Sequence, residues 1–495
     1  MAKKAFAAAE NVPDLTKATI PDYPAASKIG EFPRKKALAC KDNGDGTKTI
    51  CARYYSDGPI ILMIKSNGTY KTTESAFNAT GDDVAKYWNP AEVPTSETAG
   101  EVYAEKSITW TDNKTYSFPY LQFTIAPAAN LYMQCTHLTV KKIMFGGDGG
   151  MQTYSRSGTV DGPIELSTNP SATNTVTVYQ KCRLTINGDI SGAANLKVTA
   201  PVPHHNPVGY TTFNGSHAGL RGAFMLTCPS HPEDTVNSSG TAIPAFPNLA
   251  KELYLQVYMN RGDQFGGRYE GGAAWRSIHV NNYGCINVVG DMTVDEPTRG
   301  FFVDGGVQFN VSDGKTLTLG IPVTYGGEMI KKGSGKLVLG GEARFVDGSS
   351  ETLPQEGANV LAIDKGSLKV TATNALNGVC AKFAKGTELC LDAVPENADM
   401  AAYGIINTRW NVPFVCGEDD GAIRVRLENT EAAESLARFS CAICTVAAET
   451  AAALKFKVPR LRNFFCGIVR RENADGTVTV AAEYVRRGRL FIKMR

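Results

Sequence analysis

The chain has 495 residues, 49 of them glycine, with 20% charged residues and a net charge of +2. Charge this evenly balanced lacks the basic excess on which binding to nucleic acid or an anionic membrane rests. No uninterrupted apolar run reaches the roughly 18–20 residues of a spanning helix, so no membrane span is expected.

The abundance of Gly, Thr, Val and Asn, without long Glu/Lys/Leu/Ala-rich stretches, points to an all-β chain with many turns. Residues 1–9, MAKKAFAAA, have the lysines and small residues of a secretory signal, but Glu10 leaves an apolar part of five residues, shorter than a working signal core. This reads as a processed or trimmed end; a disordered start of a cytoplasmic protein is the alternative. Residues 13–33 are Pro-rich and read as an extended arm, and TESAFNATGDDVAKYWN at 73–89 can hold a short helix. Residues 1–99 are taken as an arm and capping region. From about 100 to 200, strand-like runs such as KSITWTDNKTYSF, LTVKKIMFGG and NTVTVYQKCRLTING are spaced roughly ten to fifteen residues apart with Gly, Asn, Pro and Asp between them. They suit further coils of a solenoid or an all-β cap.

The clearest signal is a recurrence. Gly314 in SDGKTLTL, Gly335 in KKGSGKLVL, Gly366 in DKGSLKV and Gly386 in AKGTELCL are separated by 21, 31 and 20 residues. A unit near twenty residues, enlarged once by the polar segment at 349–357, is the mark of a repeat architecture. Period two puts Leu317 and Leu319, Leu337 and Leu339, Leu368 and Val370, and Leu389 and Leu391 on one face of short strands, with Lys336, Lys369 and Glu388 opposite. Such a strand buries its apolar face only by stacking on its neighbours. The glycines, with Gly333 beside them, are expected at φ > 0 corners kept solvated by the adjoining lysines or Asp.

KKGSGKLVLGG, followed by LAIDKGSLKVTATNAL and AKGTELCL, resembles the autotransporter-associated β-strand repeat of passenger domains in secreted bacterial surface proteins. The likeness covers roughly 310–395, and INGDISGAANLKV at 186–198 with YTTFNGSHAGLRGAFMLT at 210–227 is a weaker version. It implies a right-handed parallel β-helix (β-solenoid) over 100–395, export across the envelope, and adhesive or structural roles, with no catalytic residues carried over. No membrane β-barrel follows the repeats, which departs from a complete autotransporter. Residues 396–495 read as a small β-rich region: TEAAESLARFSCAICTVAAETAAALKFKV is Ala-rich and can contain a short helix, and IVRRENADGTVTVAAEYV reads as a hairpin about residues 473–476. The basic end RRGRLFIKMR reads as a final strand with solvated arginines.

Three of the possible cysteine pairs are local: Cys40 with Cys51 across an Asn-Gly-Asp-Gly turn, Cys380 with Cys390 across the Gly386 turn, and Cys441 with Cys444 in a C-x-x-C. They are expected as structural disulfides or inert buried thiols, since no second ligand pair and no βαβ setting supports zinc or redox chemistry. Asp82-Asp83 and Glu418-Asp419-Asp420 have no His or Arg partner at a recognisable spacing, and His204, His205, His217, His231 and His279 are scattered. Arg261-Gly262-Asp263 spells an adhesion tripeptide that chance supplies often, and GGDGG at 146–150 lacks the helix and Lys-Ser/Thr of a phosphate loop. No catalytic, metal or cofactor site is therefore assigned. The expected function is that of a non-catalytic secreted or cell-surface β-helix whose partner is an extracellular surface, a glycan or a self-assembly partner, with oligomers open. The alternatives are a carbohydrate-active β-helix enzyme, whether polysaccharide lyase or glycoside hydrolase, and a phage-type fibre or spike.

Overall fold

A computed structural model describes residues 114–487 with breaks at 134–135, 154–156, 180–181, 201–208, 229–234, 237–241, 244–254, 346–358, 396–404 and 408–414. It also describes 18–19, 35–42, 48–55, 60–63, 78–84, 88–89, 93, 101–104 and 107–110. His204, His205, His231, the loop at 349–357, the terminal run from 488 and nearly all of the arm at 13–33 lie outside the described residues. The fold is all-β, and most strands stack in parallel as a β-solenoid. The chain forms two compact units, one of residues 1–198 with 219–222 and one of residues 199–218 with 223–495.

In the first unit three parallel ladders carry continuous apolar rows. Register aligns Val102, Phe123, Ile143, Ile164 and Ile190 in one. It aligns Ile108, Leu131, Met151 and Val176 in the second, and Tyr116, Leu138, Val160 and Ile186 in the third. The strand His137–Phe145 serves two of these ladders. A register shift between Val140 and Lys142 turns it round a corner, so its first half pairs with Gly158–Asp161 and its second with Ile164–Glu165. The glycines at 146–150 form another corner. A Cβ on Gly150 would lie 1.9 Å from the Thr175 carbonyl oxygen, so only glycine lets the coils close there. The buried Asn174 staples this corner, its Nδ2 donating to the carbonyls of Gly147 (2.7 Å) and Gly149 (3.3 Å) while its Oδ1 accepts from Ser167 N–H.

In the second unit the leucine strands form one all-parallel sheet. Met292, Leu317, Leu337, Leu368, Leu389 and Val425 succeed one another in register, beside the row Val294, Leu319, Leu339 and Val370. Leu391 pairs onward with Leu427. All eight repeat positions named from the sequence are buried. A second ladder stacks Phe224, Ile278, Phe301 and Val323, and a third stacks Val257, Ile286, Phe309, Lys331, Ile363 and Phe383. Fully burying each apolar side chain of these rows is worth about 1.5–3 kcal/mol, so the stacked apolar rows are the main source of stability.

The corner glycines divide into two kinds. Gly314, Gly333, Gly366 and Gly386 have φ of 65°, 73°, 77° and 83°, whereas Gly335 is not left-handed. Gly335 is needed for another reason: a Cβ there would lie 2.3 Å from the Ser312 carbonyl oxygen and 2.5 Å from that of Lys315. In the KKGSG corner the backbone therefore turns at Gly333, and Gly335 admits the preceding coil. The lysine is also not as expected. Lys331 is buried in the row between Phe309 and Ile363 instead of keeping the corner solvated.

The end of the chain changes architecture. Arg438–Ala447, Phe464–Glu472 and Thr477–Arg486 are antiparallel, the last two joined by a hairpin at 473–476 with Gly476 at φ 82°. Short helices occur at Thr430–Glu434 and Ala448–Ala453. Phe439 stacks on Tyr484 at 4.7 Å, and Phe464 meets Phe439 edge-on at 5.2 Å.

None of the three proposed cysteine pairs is a cross-strand match. Cys380, Cys390, Cys441 and Cys444 are buried thiols. Cys380 lies on the strand paired with Val360–Ile363, whereas Cys390 lies in the leucine sheet, so the turn between them leads from one face of the coil to another. Cys441 and Cys444 share one strand, where residues three apart are roughly 10 Å apart, beyond disulfide reach. Cys40 pairs with Ile50 and Cys51 with Ala39, one position out of step.

Candidate functional site

Three outward-facing strips of the second unit gather polar chemistry. The first lies on the outer side of the leucine sheet. Lys369 Nζ bonds Asp392 Oδ1 (2.8 Å) and Glu428 Oε2 (3.2 Å), Lys336 Nζ bonds Glu428 Oε1, and Arg426 reaches Glu388 Oε2 (3.2 Å) and Glu428 Oε1 (3.4 Å). Partial burial pushes the Glu428 carboxyl up, but the bonds and charges of Lys336 and Lys369 outweigh it and hold the group below the ordinary carboxylate value. Cys390 lies under this strip with its Sγ 3.1 Å from Arg426 Nη2, yet burial keeps the thiol above its ordinary pKa, and a buried thiol is a poor nucleophile. The strip is an internally neutralised charge network.

The second strip is built of amides and aromatics. Asn310 Nδ2 donates to Asn287 Oδ1 (2.8 Å), Asn287 Nδ2 donates to Gln256 Oε1 (2.9 Å), and Tyr258 packs against Tyr210 with centroids 5.1 Å apart. Register places Tyr258, Asn287 and Asn310 in one row of successive coils, with Asn287 buried, and Gln256, opposite Cys285, reaches Asn287 diagonally.

The third strip surrounds Phe302. His279 stacks on it at 5.0 Å, Trp275 meets it edge-on at 5.0 Å, and His279 Nε2 lies 3.0 Å from Asp304 Oδ2. On the next corner Tyr283 OH donates to Glu328 Oε2 (3.3 Å). Burial raises the Tyr283 phenol first, and the adjacent Glu328 charge raises it further, so it is a donor at neutral pH. In the first unit a comparable cluster joins His137 to Asp161, which also accepts from Asn187 Nδ2 at 2.6 Å.

The remaining sequence candidates have structural partners. Glu418 accepts from Gly386 N–H (2.7 Å) and pairs with Arg424 (2.9 Å), Asp419 pairs with Lys385 (2.8 Å), and Asp420 accepts from Ala422 N–H (3.0 Å), so this acidic run braces the Gly386 corner. Asp82 and Asp83 sit in an exposed single turn, Gly81–Asp83. His217 is buried with Nδ1 2.6 Å from the Gln264 carbonyl oxygen. Arg261 closes on Asp263 of its own triplet through Nε (3.0 Å) and Nη2 (2.8 Å), and Ser216 Oγ donates to the same carboxylate (2.7 Å). That pairing occupies the two charges an adhesion tripeptide would present. Among the described residues no group of three or more His, Cys, Asp or Glu is placed to hold a metal.

Two buried polar side chains escaped sequence reasoning. Arg299 Nε donates to the Gly267 carbonyl (2.6 Å) and Nη1 to that of Ser277 (3.2 Å), and burial pulls its pKa down to about 10. Gln264 bonds the carbonyls of Phe213 (2.8 Å) and Gly215 (3.1 Å) through Nε2 and accepts from the N–H groups of Asn260 and Arg261 through Oε1. Gln264→Leu leaves these buried backbone groups unsatisfied and is expected to cost about 2 kcal/mol. Arg261→Ala, which removes an exposed ion pair, is expected to cost less than about 1 kcal/mol, and thermal melting separates the two.

No family model, no curated protein and no solved structure matches this chain.

Proposed function

We propose that the chain is a non-catalytic secreted or cell-surface β-solenoid that acts through its outer faces, in adhesion to a glycan-bearing surface or in extracellular assembly. The observation that carries this reading is the state of the outward polar rows. The Gln256–Asn287–Asn310 ladder bonds from each coil to the next, while Lys336 and Lys369 reach across two or more strands of the leucine sheet to Glu428, which Arg426 also meets within its own strand, so these polar groups are engaged with one another. A hydrolytic site instead needs two carboxylates, or a metal and a base, turned toward a common substrate atom. The half-buried Tyr210–Tyr258 pair, with Gln256 and Asn310 beside it, offers the aromatic and amide groups that recognise a polymer. The likeness of 310–395 to passenger-domain repeats supports an exported, surface-associated chain.

The test pairs binding with turnover. The full chain is expected to be retained on immobilised plant, algal or host-type polysaccharide and to yield neither new reducing ends nor unsaturated products, with calcium present. Tyr258→Ala is expected to weaken retention several-fold. Turnover abolished by Asp304→Asn or Glu328→Gln would overturn the reading in favour of an enzyme.

A further inference from the structure

We infer that the strand Phe464–Glu472 is a self-pairing edge through which two copies of this chain join antiparallel about a two-fold axis at Ile468. The strand ends its sheet, with Thr477–Arg486 as its one neighbour among the described residues. Which of its backbone groups face outward follows from two bonds, Arg487 N–H to the Asn463 carbonyl (2.7 Å) and Asn473 N–H to the Thr477 carbonyl (2.8 Å). Antiparallel ladders alternate bonded and non-bonded pairs. Phe465, Gly467, Val469 and Arg471 therefore direct their backbone groups to the neighbouring strand, and Cys466, Ile468, Arg470 and Glu472 direct theirs to the open edge. A two-fold axis at Ile468 pairs this outward set with itself. Cys466 faces Arg470 of the second copy, Ile468 faces its own copy, and Glu472 N–H reaches the Phe464 carbonyl of the second copy.

The side chains select the same arrangement. Of four large hydrophobic side chains exposed among the described residues, Phe465 (64%) and Val485 (44%) are direct cross-strand partners on this hairpin. The two-fold places Arg471 of the second copy beside Phe465, a cation-over-ring contact of the kind Arg487 already makes with that ring at 4.9 Å. It also places Val469 of the second copy beside Gly467, where a Cβ would meet nothing within 4 Å. Parallel pairing would instead oppose Arg470, Arg471 and Glu472 each with its own copy, like charge against like. An edge with no proline and no bulge, apolar over Phe464–Val469, is a template for pairing, and the commonest closed form is a two-fold dimer.

The experiment is sedimentation of the full chain over a concentration series. Edge pairing of nine residues buries less than the roughly 1,200 Å² of a standard interface, so a concentration-dependent dimer is expected, its mass rising toward twice 53.1 kDa. Ile468→Pro removes an outward N–H without touching the ladder to the neighbouring strand, and Gly467→Lys fills the open space with a charge. Both are expected to stay at 53.1 kDa at every concentration, with wild-type circular dichroism and melting. The lysine variant keeps the test if the proline variant fails to fold. A wild-type chain that is monomeric throughout, or a dimer that survives Gly467→Lys, overturns the inference.

Discussion

Replacing Leu337 by alanine is expected to lower the melting temperature by about 5–15 °C, while Thr318→Ala on the outward row of the adjacent strand changes it little. Leu337 is fully buried between Leu317 and Leu368 in register. Truncating a buried leucine costs about 2–5 kcal/mol, from lost transfer energy plus the cavity left behind, and domains of roughly 150–250 residues lose about 2–4 °C for each kcal/mol. A solenoid concentrates the effect, because each coil is held mainly by its two neighbours. Amide exchange should accelerate first in Thr316–Leu319 and Ser367–Val370, the strands on either side. Equal shifts for Leu337→Ala and Thr318→Ala would show that the leucine row is not what holds the coils together.

The leucine rows were legible because stacking is itself a repeat constraint. A residue that must lie over its counterpart in the next coil returns at the coil length, and period two within the strand fixes its face. The corners were legible as corners but not in detail. Spacing picks Gly335 as the counterpart of Gly314 and Gly366, whereas the left-handed turn falls at Gly333, because that choice depends on where the previous coil's carbonyls lie. The charge network was not legible, since Lys336 and Glu428 are 92 residues apart and meet through the register of the intervening strands. Of the two expectations for the cysteines, Cys380, Cys390, Cys441 and Cys444 meet that of buried thiols and not that of disulfides. Closeness in sequence says nothing of strand parity, and parity decides whether Cys40 faces Cys51 or Ile50. The amide ladder had a signal, since Asn287 and Asn310 recur 23 residues apart, but that coil has no Lys-x-Gly corner to anchor an alignment.

Lys331, the first lysine of the KKGSG corner's neighbourhood, gives the protein a pH dependence that its sequence conceals. Its Nζ donates to the carbonyls of Lys332 (3.0 Å), Gly333 (2.8 Å) and Lys365 (2.9 Å), one acceptor for each ammonium hydrogen, which is how the charge is tolerated inside an apolar row. Burial nevertheless pulls its pKa from the ordinary 10.5 to about 8, and the Lys365 ammonium acts in the same direction. Below about pH 8 folded and unfolded chains both hold the proton, and the folded state bears the full cost of the buried charge. Between about 8 and 10.5 the folded chain has released a proton that the unfolded chain still binds, so stability rises with pH, and above 10.5 the gain is complete. A displacement of this size corresponds to about 3 kcal/mol. Tyrosines, thiols and other lysines titrate in the same range, so the quantity to measure is the difference between wild type and Lys331→Met in urea midpoints across it. The wild-type curve is expected to gain about 3 kcal/mol on the variant from pH 8 to 10.5. Two curves that stay parallel would mean that the three carbonyls fully offset desolvation, leaving Lys331 to titrate in the fold as it does in the unfolded chain.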